Sequence, residues 1–144
     1  MEEFLKNGEK YEEVKCSLPQ GTTEEKLKHY LSLYKTNAEL ESLINKNDWC
    51  VKLENKGLTD NEAYRIANWM YKNENVSSLF LENNEITSKG CTAIFEGLKG
   101  NSKLQKLNIK NEKGKGAIDD NAVKSLVELL KINKVLWDIN LEGN

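Results

Sequence analysis

Val76-Ser77-Ser78-Leu79-Phe80-Leu81-Glu82-Asn83-Asn84 is the stretch that decides the fold. It runs apolar, two spacers, Leu, one spacer, Leu, two spacers, Asn, and Ile86 follows. The phrase returns at Leu104, Leu107 and Ile109, and again at Leu136, Ile139, Leu141 and Asn144. A weaker copy stands at Val51 and Leu53, with Leu58 in the place of Ile86. Recurrence of one phrase at a fixed period signals a solenoid, in which each unit covers its neighbour's apolar face.

Subtraction sets the register. Val51 to Leu79 is 28 residues and Leu79 to Leu107 is again 28. Each short strand leads to an apolar landing residue, Leu58 or Ile86, followed by Thr59 or Thr87, residues suited to an N-cap. The helices that follow carry one-sided apolar faces at i, i+3, i+4, i+7 spacing. These are Ala63, Ile66, Ala67 and Met70 in the first unit, and Cys91, Ile94, Phe95 and Leu98 in the second. The third unit is longer, with 32 residues from Leu107 to Ile139, and the extra residues fall in the loop-like run from Asn111 to Ala117. Ile118 is then the landing residue, and Val123, Leu126, Val127 and Leu130 are expected to repeat the inner face. Asn73, Asn101 and Asn133 end the helices. Trp69, Gly97 and Leu129 share one position, and the small Gly97 is expected to give Trp69 room.

The predicted organisation is an α/β solenoid, a right-handed β-α superhelix. A parallel sheet lines its concave face and helices its convex face, because each parallel pair needs a crossover. Residues 1–21 form an N-terminal arm. Residues 22–46 form a helical cap, with Thr22 or Thr23 as N-cap and Glu24 and Glu25 in the first turn, where the helix dipole favours acids. Residues 47–144 hold the repeats, at about 47–75, 76–103 and 104–135, with a partial unit at 136–144.

Composition bounds the function. A net charge of -2, from 21 basic against 23 acidic residues, sets up no global field toward nucleic acid or an acidic membrane. No apolar run reaches membrane-spanning length. Three cysteines in no paired spacing and a single histidine build no zinc pattern. The acidic start, Met1-Glu2-Glu3, is not that of a signal peptide. Together these features lead us to expect a cytoplasmic protein with no nucleic-acid or membrane partner.

No residue set spells catalysis, a cofactor or a metal site. Gly114-Lys115-Gly116 lacks the spacing of a phosphate-binding loop. His29 has no nucleophile elbow to serve. Cys91 falls on an inner helix face and reads as core, whereas the reactivity of Cys50 beside a strand stays open. Glu54, Glu82 and Glu142 share a row with Lys110; without an Asp-rich loop they read as solvated surface rather than a cation site. Asp119 and Asp120 start the last helix.

Between the inward-facing strand residues lie side chains that point away from the core. The middle row is Lys52, Phe80, Asn108 and Asn140. Its neighbours are Cys50, Ser78, Lys106 and Asp138 on one side, and Glu54, Glu82, Lys110 and Glu142 on the other. Phe80 has no core reason to sit there, and an aromatic on a polar face suits an interface anchor. Lys52, Phe80, Lys106, Asn108, Lys110, Asp138 and Asn140 are therefore the expected protein-binding face. The last strand, Leu136 to Leu141, has no helix behind it, so the rival expectation is an assembly protein whose copies pair on that edge.

The motif Leu-x-x-Leu-x-Leu-x-x-Asn-x-Ile in a 28-residue helix-bearing unit resembles the ribonuclease-inhibitor class of leucine-rich repeats over about residues 45–144. The run from Asp120-Asn121-Ala122-Val123 to Leu136, continuing to Leu141-Glu142-Gly143-Asn144, looks like a tropomodulin repeat, as does the alternation of shorter and longer units. Tropomodulins cap the slow-growing end of actin filaments through parts that these 144 residues lack. The resemblance implies a non-catalytic interaction module, with actin or another cytoskeletal protein as a candidate partner.

Overall fold

A computed structural model describes residues 21–32, 40, 42, 48–111 and 118–144. The expected N-terminal arm up to residue 20, most of the second cap helix, the Gly114-Lys115-Gly116 loop and the His29 side chain lie outside the described residues. Four strands, β1 (Cys50–Lys52), β2 (Ser78–Phe80), β3 (Lys106–Asn108) and β4 (Asp138–Asn140), form one sheet in the order β1-β2-β3-β4. All three pairings are parallel, and Val51, Leu79, Leu107 and Ile139 lie abreast. Helix α1 (Thr23–Ser32) precedes the sheet. Each crossover carries a helix: α2 (Asp60–Tyr71), α3 (Ser88–Leu98) and α4 (Asp120–Ile132).

Local chemistry sets the helix starts. Thr59 caps α2 in a capping box with Glu62, Thr87 caps α3, and Asp119 caps α4 by accepting from the amides of Asn121 and Ala122. The strand-to-loop turn needs a left-handed residue, which Asn55 (φ 55), Asn83 (φ 54) and Gly143 (φ 80) provide at equivalent positions.

Asparagines then stitch unit to unit. Asn101 donates through Nδ2 to the Met70 and Asn73 carbonyls at 2.6 and 3.1 Å, and its Oδ1 accepts from the amides of Lys103 and Leu104. Asn133 repeats this against Leu98, Asn101, Val135 and Leu136. On the other side of each strand, Asn84 spans Leu53, Leu81, Lys56 and Leu58 in the same manner. Each buried amide satisfies the end of one helix or strand and the start of the next.

The core runs between sheet and helices, and Leu40 belongs to it together with Val51, Leu53 and Leu58. A second cluster lies outside the helices, where Leu27 of α1 packs with Tyr64, Ala67 and Ala93. Lys26 adds an ion pair to the buried Glu96 at 3.5 Å, and Lys99 reaches both Glu96 and Glu128, at 2.7 and 2.9 Å. Burial works against the Lys99 charge, but these two carboxylates outweigh it and hold the ammonium above its ordinary value.

Two packing expectations are corrected. The atoms nearest to Gly97 belong to Ala67 rather than to Trp69: a Cβ there would stand 2.3 Å from the Ala67 carbonyl oxygen, so the glycine lets the backbones of α2 and α3 touch. On α4 the buried residues are Ala122, Ser125, Leu126 and Leu129, whereas Val123, Val127 and Leu130 are exposed. The register of that helix is as expected. The equivalent positions of the first two units are buried, and among the described residues no helix follows α4 to cover its own.

Candidate functional site

The in-register pairings place the seven expected binding residues on one face of the sheet. Lys52, Phe80, Asn108 and Asn140 form an unbroken row across the four strands, and Lys106 lies beside Asp138 in the row before it. Lys110 follows β3, two residues beyond Asn108. Alternation of side chains along a strand, combined with a constant register, is enough to bring residues about ninety positions apart in sequence onto one surface.

This face is more self-satisfied than a row of free side chains. Lys106 approaches Asp138 at 3.9 Å and also stands 5.1 Å over the Trp137 ring. Lys110 pairs with Glu142 at 2.9 Å. Asn108 donates to Glu82 and accepts from the Lys110 amide, and Asn140 accepts from the Glu142 amide. Phe80 is half-buried rather than projecting freely, and Lys52 is exposed beside it. The β3–β4 half of the face is thus neutralised in place, and the β1–β2 half holds the aromatic. The pairs could have been found from the register, because Lys106/Asp138 and Lys110/Glu142 share rows.

Glu82 is what sequence reasoning missed. Burial pushes its carboxyl above the ordinary range, and the nearby Glu54 charge adds to this, against the pull of Lys110 and Lys52. Its Oε2 is buried with no hydrogen-bond partner among the described residues. No sequence signal separates it from Glu54 or Glu142, because the difference is one of packing.

Cys91 is buried, and loss of hydration pushes its thiol up to about 12, with the Asp60 charge adding to the effect, so it is an inert core residue. Cys50 is half-buried and free. Among the described residues, no group of three or more His, Cys, Asp or Glu side chains could hold a metal ion. Among them, too, no helix is long and apolar enough to cross a membrane.

Stacked strand–helix units with a parallel sheet and asparagine-stitched turns define a leucine-rich repeat array, and its repeats are tropomodulin-like. The chain is similar to part of the leiomodins. It is 27% identical to human leiomodin-3 over 131 residues, which is 91% of this chain and 22% of that protein. To mouse leiomodin-3 it is 33% identical over 92 residues, 64% of this chain and 16% of that protein. The chain therefore spans about a fifth of the length of the curated relatives it matches. A solved structure titled leiomodin-1 actin-binding site 2 superposes with a TM-score of 0.62 at 26% identity, covering 85% of this chain and 80% of the other. No protein-family model matches the chain.

Proposed function

We propose that this chain is a non-catalytic interaction module that binds actin through the open face of its sheet. The observation that carries this reading is its likeness, over most of its length, to a structure whose title names an actin-binding site. The face itself supports a protein partner. It is broad, carries both signs of charge, and holds a half-buried aromatic in its middle row, a suitable anchor for a docking surface. Its ion pairs fix register and orientation more than affinity, since partly exposed pairs contribute little. A cytoplasmic location fits this partner and agrees with an odd number of cysteines.

The test is titration of purified protein with monomeric actin by calorimetry. Phe80→Ala removes the anchor, and Lys106→Glu sets two like charges side by side with Asp138. Each is expected to weaken binding at least about tenfold, roughly 1.4 kcal/mol, with an unchanged circular dichroism spectrum. Absence of binding by the unaltered protein would remove actin as the partner. Full affinity in both variants would move the contact off this face.

A further inference from the structure

We propose that the groove between α2 and α3, on the side of the helices away from the sheet, is a docking site for an amphipathic helix that carries a leucine next to a lysine. In this chain α1 fills the groove, and a partner helix of the same chemistry takes its place. The groove lies across the helix layer from the sheet face and stands independently of the actin reading.

The first support is a groove that holds a helix already. α1 packs against both α2 and α3. Leu27 is 1% exposed among Tyr64, Ala67 and Ala93, with the half-buried Tyr71 beside them. The small Ala67 and Ala93 let a third helix come close, and Tyr64 adds a buried aromatic surface. The next groove along is lined differently. Between α3 and α4 the positions of Tyr64 and Ala93 are held by Thr92 and Ser125, whose hydroxyls interrupt the apolar surface. The repeat alone therefore does not account for the lining, which belongs to this groove.

The second is a buried carboxylate that faces the occupant. The Glu96 side chain is 4% exposed. Its Oε1 accepts from Lys99 at 2.7 Å, whereas its Oε2 has no hydrogen-bond partner among the described residues and meets Lys26 of α1 at 3.5 Å. A carboxylate so deep is costly unless cations stand against it. The groove thus selects a basic side chain beside the leucine that fills it. α1 offers the pair as Lys26-Leu27, and charge complementarity asks the same of a partner helix.

The third is the light hold on α1. Of its residues from Thr23 to Lys28, only Leu27 is buried, and Glu24, Glu25 and Lys28 are exposed. A helix of 10 residues is marginal by itself. Among the described residues one leucine and one long ion pair keep it in place. Such an occupant yields to a helix that fills the same groove, the mode in which amphipathic helices are commonly recognised.

A fluorescently labelled peptide of residues 21–34 is the probe, with anisotropy as the readout. In the full chain, Leu27→Asp vacates the groove without altering its lining. The peptide is expected to bind this variant at least about tenfold more tightly than the unaltered chain, where α1 competes from within. Leu27→Asp in the peptide should weaken binding at least about tenfold, and Lys26→Gln about fivefold. Adding Glu96→Gln to the vacated chain should abolish the difference that Lys26→Gln makes. No binding to the vacated chain overturns the proposal, as does equal binding to both chains. A Leu27→Asp chain that loses the helical circular dichroism of α2 to α4 overturns it too, because α1 is then a fixed part of the fold. A peptide indifferent to Lys26→Gln while Glu96 is intact overturns the selection by charge.

Discussion

Single side chains on the sheet face carry unequal electrostatic loads, and Glu82 carries the heaviest. Its carboxyl is raised above the ordinary range by burial. A group whose folded-state pKa is raised adds stability fully below its unfolded value and loses it as pH rises through the folded value. Ionised Glu82 is thus a net cost at neutral pH. Glu82→Gln keeps an acceptor for Asn108 and removes the charge. It should stabilise the fold by up to about 1 kcal/mol at pH 7, a figure that allows for solvent screening of a partly exposed group. Urea melts should show the gain at neutral pH and its disappearance below about pH 4. Asp119 has the opposite sign. The Ser88 hydroxyl and the Ala122 amide hold its carboxyl below the ordinary range, so its contribution is present above the ordinary value and lost as pH falls through the depressed one. A cap residue and a sheet-face residue of similar chemistry therefore pull acid stability in opposite directions.

Pairs of elements are held at distances their smallest residues permit. α2 and α3 come into backbone contact at Gly97 and Ala67. Gly97→Ala would gain about 1 kcal/mol of helix propensity and force apart two backbones that cannot yield like a side chain. We expect a net loss of about 2 kcal/mol in a urea melt, with an unchanged slope. The position of Gly97 was legible in the register, but its role was not. Sequence equivalence with Trp69 suggested an exchange of volume along one row, whereas the contact runs to Ala67, two residues away on the neighbouring helix. The asparagines were legible as helix ends at Asn73, Asn101 and Asn133. That Asn101 and Asn133 also hold the preceding unit's carbonyls could be seen only once the turns were stacked.

For the molecule as a whole, stability is graded along the array because each unit is held by its neighbours. In α3 nearly every residue from Ser88 to Leu98 is buried, whereas α4 buries four. In dilute solution, hydrogen exchange should therefore find α4 and β4 opening at a free energy about 1–2 kcal/mol lower than α3 and β2. Equal protection throughout would contradict a graded array. What the sequence by itself determined is the repeat: its period, strand register, caps and core-facing apolar rows. Those follow from local spacing, since a residue's face depends on where it falls in its own strand or helix. Which equivalent positions are covered and which stay bare was decided by the tertiary structure alone. Val123, Val127 and Leu130 match the buried residues of earlier units, yet they meet no following helix among the described residues. Glu82, Lys106 and Lys110 were drawn in the same way, as surface charges, until packing gave two of them partners and buried an oxygen of the third. Burial is a property of the neighbours a residue meets, and periodicity alone does not name them.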